Sequence, residues 1–337
     1  MTLTLAEILM ARGTIKGVAD ATPLVPATAI SRILGTELLL KLEICQPIGA
    51  FKLRGAYNAV TSLPDGAIGV TCCSTGNHGR GVAFAARQRG LRAVVCMSEL
   101  VPQAKIDGIR ALGAEISITG KSQDAALAES LRLCRDEGLT EISPFDDPRV
   151  IAGQGTIGLE ILEQRPDVGT LLVPLSGGGL AGGVALAAKA INPAIKVIGI
   201  SMDRGAAMVA SIKAGHPIEV KEYASLADSL GGGIGLQNKL SFQLCRDLLD
   251  DIILVTEEEI RDAMQMLFFE ERIVAEGACV VGIAALKAGK LPPSTKPMAT
   301  ILTGRNLDMQ IFTQIMTGQD ITLGDMHLKG RQYTSPL

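Results

Sequence analysis

The chain has 337 residues, 47% of them apolar and 20% charged, enough for two domains of about 150 residues each with well-filled cores. Its 32 basic and 35 acidic residues leave a net charge of −3 and are interspersed, which excludes nucleic-acid or membrane-surface roles that rest on clustered Lys and Arg. Seven cysteines, an odd number without CxxC spacing, exclude a disulfide framework or a zinc site and fit reduced thiols in the cytoplasm.

The opening MTLTLAEILMARG has no basic stretch ahead of an apolar one and does not read as a signal peptide. The longest uncharged apolar run, 278–286, is too short to span a bilayer. The first chemically unusual stretch is 49-GAFKLRGAYNA-59, where Lys52 lies between Phe51 and Leu53. Lysine usually keeps its ammonium in water, so apolar flanks point to an amine whose proton is easily lost.

From residue 67 short β-rich runs alternate with helical ones. Strands are predicted over 67–73, 92–98, 114–120 and 140–145, with helices over 79–89, 103–112 and 122–137. Gly90, Gly113 and Gly138 stand where these helices close. A second series follows: helix 149–164, strand 170–175, helix 180–191 and strand 196–201. After a less regular region come strand 251–255, a helix opened by Thr256 and Glu259 in capping-box spacing, a helix over 276–288 and strand 298–304. The pattern predicts an α/β protein of two domains with mostly parallel sheets. Asp146, Asp147 and Pro148 mark the seam, dividing a small domain, 56–146, from a large one made of 1–55 and 147–337.

In such folds ligands bind beyond the carboxyl ends of the strands, where two loops stand out. The loop 176-SGGGLAGG-183 opens a helix, and its backbone N–H groups suit an anion. Gly177, Gly179 and Gly182 also fit G-x-G-x-x-G, with Asp203 about twenty residues on, so a nicotinamide-dependent dehydrogenase is a rival reading. The loop 73-CSTGNHGRG-81 offers Ser74, Thr75 and Asn77 to a carboxylate or hydroxyl, or serves as an ordinary helix cap; His78 has no evident partner. A hydroxyl at Thr303 ends the strand over 298–304. A phosphate cradle, an easily deprotonated lysine and a polar loop together suit pyridoxal phosphate.

The motifs GAFKLRG, CSTGNHGRG, VIAGQGTIGLEIL, SGGGL, AEGA and LTGRN occur in that order over nearly the whole chain. In this the sequence resembles the fold-type II pyridoxal-phosphate family of serine/threonine dehydratases, which includes threonine ammonia-lyase, hydroxyaspartate dehydratase and serine racemase. Within that family it is most similar to the dehydratases of hydroxyectoine utilisation. The resemblance implies a fold like that of the tryptophan synthase β chain and a homodimer. It makes Lys52 the Schiff-base lysine and the base at Cα. Asn77 would meet the cofactor's ring hydroxyl, and Ser176, Gly177, Gly178, Gly179 and Leu180 its phosphate. Thr303 would face the pyridine nitrogen, and Phe51 and Glu276 belong to the same cofactor-binding set. Ser74, Thr75, Gly76, Asn77 and His78 would take the substrate carboxylate, with Thr75 where a racemase needs a group on the opposite face. The implied activity is β-elimination from a β-hydroxy amino acid to a keto acid and ammonia. No metal is expected, because Asp203 is the only acid just after the strand over 196–201. Arg305 stands where relatives have glycine. It either pairs with an acidic neighbour or reaches the site.

Overall fold

The computed structural model describes residues 3–74, 76–99, 101, 103–120 and 123–336. The strands in chain order are β1 (Leu24–Pro26), β2 (Leu38–Lys41), β3 (Gly69–Cys73), β4 (Arg92–Met97), β5 (Glu115–Ile118), β6 (Thr140–Glu141), β7 (Thr170–Pro174), β8 (Lys196–Met202), β9 (Asp251–Val255), β10 (Met298–Ile301), β11 (Ile321–Leu323) and β12 (Met326–Leu328). They form a six-stranded sheet ordered β1-β2-β10-β7-β8-β9, a four-stranded sheet ordered β5-β4-β3-β6 and a β11-β12 hairpin. All pairs in the two larger sheets are parallel except β1 with β2. Met298 of β10 lies opposite Leu38 on one side and Thr170 on the other, which fixes the centre of the larger sheet.

Helices cover both faces of these sheets. The inner strands are accordingly buried along their whole length, as in LLLK, GVTCC and TLLVP, and do not alternate apolar with polar. Most predicted elements form within a residue or two of their expected ends, and Gly90, Gly113 and Gly138 adopt φ of 65°, 94° and 68° at the helix ends. The capping box is present: Thr256 N–H donates to Glu259 Oε2 at 2.8 Å, and Glu259 N–H returns to Thr256 Oγ1 at 3.3 Å.

Three expectations need correction. The strand over 140–145 stops at Glu141, because Pro144 has no N–H for the ladder and the chain turns towards the lysine. The strand over 298–304 stops at Ile301, where the chain leaves the sheet and bridges Gly304 to Ala50. The helix over 276–288 divides into a 3₁₀ turn, Gly277–Cys279, and a helix, Val281–Lys287. The turn packs against a distant backbone: a Cβ on Gly277 would sit 2.2 Å from the Leu226 carbonyl oxygen.

The helix Lys52–Thr61 carries the unusual lysine and is anchored from beneath by Arg54, which is wholly buried. Its guanidinium donates to Glu43 (Nε to Oε2, 2.8 Å) and to Glu160 (Nη1 to Oε1, 2.6 Å), and Lys41 donates to Glu160 Oε2 at 2.5 Å. Two buried cations against two buried carboxylates leave the cluster formally neutral, the condition under which charge can be tolerated inside a protein. Burial opposes Arg54's charge, but Glu43 and Glu160 outweigh it and bind its proton more firmly than usual.

Candidate active site

In the larger sheet the chain steps from β7 outward to β8 and β9, then returns to the other side of β7 as β10. The crevice at that reversal is where parallel α/β sheets place ligands. The loops after β7 and β10 meet there with the loop after β3 and the start of helix Lys52–Thr61. Between them lies a cavity of about 1060 Å³. Phe51, Lys52, Ser74, Gly76, Asn77, His78, Ser176, Gly177, Gly178, Gly179, Leu180, Glu276 and Thr303 all line it. Thr75 lies outside the described residues.

Lys52 is half-buried, and its Nζ donates to the Pro144 carbonyl at 2.6 Å. Loss of water around the amine lowers its pKa from 10.5 to about 8. The flanking argument needs amending, because consecutive helical residues point about 100° apart. Leu53 turns away into an apolar cluster with Ile15, Ala19, Ile48 and Ala50. Phe51 alone of the two flanks the amine, its ring centre 5.4 Å from Nζ.

The glycine loop turns its donors and acceptors in different directions. The Gly177 carbonyl accepts from Ser241 Oγ at 2.7 Å, and the Gly178 carbonyl from Cys245 Sγ at 3.5 Å. Gly178 caps the helix Gly179–Ile191 in the left-handed region, φ 88°, and the first intrahelical bond is from Gly182 N–H to the Gly178 carbonyl at 2.8 Å. The N–H groups of Gly179, Leu180 and Ala181 therefore precede the helical ladder and remain available to an anion. No side chain fits at Gly179, where a Cβ would lie 2.7 Å from the Phe145 carbonyl oxygen.

Opposite this cradle Asn77, Glu276 and Asn306 form a clamp. Asn77 Nδ2 donates to both Glu276 oxygens at 3.0 and 3.1 Å, while Asn77 Oδ1 accepts from Asn306 Nδ2 at 2.7 Å. Glu276 also accepts from Asn306 N–H at 2.7 Å and Ser229 Oγ at 3.2 Å. Burial raises the Glu276 pKa, an effect the Asn77, Asn306 and Ser229 bonds limit and the Asp228 charge reinforces. Thr303 is buried with its hydroxyl 3.2 Å from Cys279 Sγ. Burial pushes that thiol up to about 12, so it stays neutral.

His78 does have a partner: its Nε2 lies 2.7 Å from the Ile142 carbonyl. The ring is buried and its pKa falls to about 3 through desolvation and the nearby Lys52, so the imidazole is neutral. Sequence reasoning also missed the Pro144 carbonyl and Ser229, which no local pattern marks, and Asn306, which lay unassigned within the LTGRN motif.

The family described as pyridoxal-phosphate dependent enzyme matches residues 15–304. The chain belongs to that family. It is 52% identical to a putative threonine dehydratase of Sinorhizobium fredii over 94% of this chain and 96% of that one. It is 40% identical to the L-threonine ammonia-lyase of Thermotoga maritima, over 93% and 78% of the two chains. Among solved structures, maize serine racemase superimposes with a TM-score of 0.88 at 33% identity, covering 94% of this chain and 97% of the other. The expected α/β fold-type II architecture and the expected cofactor, pyridoxal phosphate, both hold.

The residues present fit that cofactor. Unused N–H groups and a floor with no room for a Cβ suit its phosphate, and a lysine of lowered pKa stands in the same cavity. The dinucleotide reading fails on placement. Asp203 lines a different cavity of about 370 Å³, with Arg204, Glu257 and His327, and the glycine loop is not part of it. Among the described residues no cluster of His, Cys, Asp or Glu could hold a metal ion, and no helix is long and apolar enough to cross a membrane.

Proposed function

We propose that this chain is a lyase that dehydrates and deaminates a β-hydroxy amino acid of the threonine or serine kind to a keto acid and ammonia. The observation that carries the reading is Lys52, an amine of lowered pKa set beside an anion cradle in a cavity that can hold an amino acid. The names of the two relatives at 52% and 40% identity support it. Bound pyridoxal phosphate supplies the electron sink that makes the substrate's Cα–H acidic.

The chain's own groups would do the rest. Lys52 attaches the cofactor and, once freed, takes the Cα proton; its pKa near neutrality suits a base at physiological pH. Gly179, Leu180 and Ala181 hold the phosphate through backbone N–H groups, with Ser176 and Gly177 closing the loop. Asn77, oriented by Glu276 and Asn306, lines the cavity where the ring oxygen would lie. The start of helix Asn77–Gln88, with Ser74, Gly76 and His78 around it, takes the substrate carboxylate. Thr303 offers the pyridine nitrogen a neutral hydroxyl. It cannot keep that nitrogen protonated as a carboxylate would, which favours prompt loss of the β-hydroxyl over transamination.

A homodimer in the cytoplasm belongs to the same proposal, and seven cysteines that are all free thiols support the compartment. Purified protein should be yellow and should release keto acid from threonine or serine. Borohydride followed by peptide mass spectrometry should place the pyridoxyl group on Lys52. Light scattering of the same sample should give a dimer. Lys52→Ala should cut kcat by roughly 10²–10⁴-fold or more with the fold retained. A pyridoxyl adduct on another lysine, or undiminished turnover in Lys52→Ala, would sink the assignment.

A further inference from the structure

The loop after β10 pairs with the segment leading into Lys52. Phe51 N–H donates to the Thr303 carbonyl at 2.9 Å, Gly304 bridges Ala50, and Arg305 N–H donates to the Gly49 carbonyl at 2.9 Å. That register sets Arg305 opposite Gly49, three positions before the lysine. Thr303, Arg305 and Asn306 all line the cavity from this stretch. A Cβ on Gly49 would lie 3.2 Å from Arg305 Cγ and 3.4 Å from its Nε, so the stem of the arginine lies over the bare backbone of Gly49.

Arg305 does not pair with an acidic neighbour. Among the described residues its guanidinium has no hydrogen bond or carboxylate partner. Asp308, the nearest acid in sequence, caps the next helix, accepting from Gln310 N–H at 2.7 Å and Ile311 N–H at 3.2 Å. Glu276 is committed to Asn77, Asn306 and Ser229. A planar cation with a full set of free donors, on the wall that carries Thr303, matches a carboxylate in two-point geometry.

We infer that Arg305 binds a second carboxylate on the substrate, so that the preferred substrate is a β-hydroxy dicarboxylic amino acid such as 3-hydroxyaspartate. The inference rests on the elimination reading above and refines it. The methyl of threonine or the hydrogen of serine gives a guanidinium nothing to bond, whereas a carboxylate on Cβ satisfies it. The balance is that of the parent reaction: the Cα–H and Cβ–OH bonds break and water leaves. Hydrolysis of the released enamine's imine form consumes one water and frees ammonia. The net change is 3-hydroxyaspartate to a four-carbon keto dicarboxylate plus ammonia, with no external oxidant.

Arg80 is the other arginine on the cavity wall, but it leans towards helix Gln103–Arg110, where a Cβ on Gly108 would lie 2.8 Å from its Nη2. It serves as the internal comparison. Holoenzymes of the wild type, Arg305→Gly, Arg305→Lys and Arg80→Gln are assayed for keto-acid release from L-threo-3-hydroxyaspartate and from L-threonine. Calorimetry measures L-malate, which carries two carboxylates and no amine, on each form, and thermal melting checks folding. In Arg305→Gly the ratio of kcat/KM for hydroxyaspartate over threonine should fall about ten- to a hundredfold, and the Kd for malate should rise by a similar factor. Arg305→Lys should recover part of both. An equal loss on both substrates would make Arg305 structural, and a larger ratio change in Arg80→Gln would move the anchor to that residue. Either result overturns the inference. If the wild type releases keto acid from neither substrate, the elimination reading fails. Malate binding then still decides on Arg305, an unchanged Kd in Arg305→Gly being the refutation.

Discussion

Only the neutral amine of Lys52 can attack the cofactor's aldehyde, so the pH dependence of cofactor capture reads its pKa directly. With a pKa of about 8 in place of 10.5, about a quarter of the protein carries a neutral Lys52 at pH 7.5, against roughly one molecule in a thousand for an ordinary lysine. The difference is about 240-fold in capture rate, and the lowered pKa amounts to on the order of 3 kcal/mol against the ammonium form. Its cause is desolvation, and the Phe51 ring, 5.4 Å from Nζ, is an apolar group beside the amine. The perturbation is therefore Phe51→Ser, which lets water reach Nζ. In stopped-flow mixing of apoprotein with pyridoxal phosphate, wild-type capture should rise with pH and level off above a midpoint of about 8. The midpoint in Phe51→Ser should move up towards 10.5, the model value for lysine, and each unit of that movement slows capture at pH 7.5 by nearly tenfold. Weaker cofactor binding in the variant changes amplitudes without moving the midpoint, so the two effects separate. A wild-type rate that keeps rising tenfold per unit to pH 10 would refute the argument, as would a midpoint in Phe51→Ser equal to that of the wild type.

Two further expectations follow from packing. Gly179→Ala puts a Cβ 2.7 Å from the Phe145 carbonyl oxygen; it should lower stability by about 1–3 kcal/mol and weaken pyridoxal phosphate at least tenfold, and an unchanged dissociation constant in equilibrium dialysis would count against the cradle. Arg54→Met leaves Glu43 and Glu160 with only Lys41 among the buried cations of the cluster, which should cost about 3–5 kcal/mol in chemical denaturation, whereas a midpoint unchanged in urea would mean that the cluster relaxes or takes up protons without penalty.

How much of this was legible in advance depended on whether the signal was local. Strand runs such as TLLVP and DIILV, the closing glycines at 90, 113 and 138, and the Thr256–Glu259 capping box declared themselves because helix and strand periodicity and cap chemistry act within a few residues. The motif order identified the family, and with it the residues that line the cavity. What the sequence could not decide were relations between residues far apart in the chain. The amine of Lys52 is desolvated beside Phe51 while Leu53 faces elsewhere, because helix rotation and the packing against Ile15 and Ile48 set the directions. His78 looked partnerless until the chain brought the Ile142 carbonyl, 64 residues on, to its ring. Glu276 clamps Asn77 across 199 positions, and Arg305 comes to lie over Gly49 only because the end of β10 leaves its sheet to meet the segment before the lysine. Composition and periodicity determined the layers. The close approach of distant backbones, which no local pattern encodes, decided which polar groups are spent on one another and which are left for a ligand.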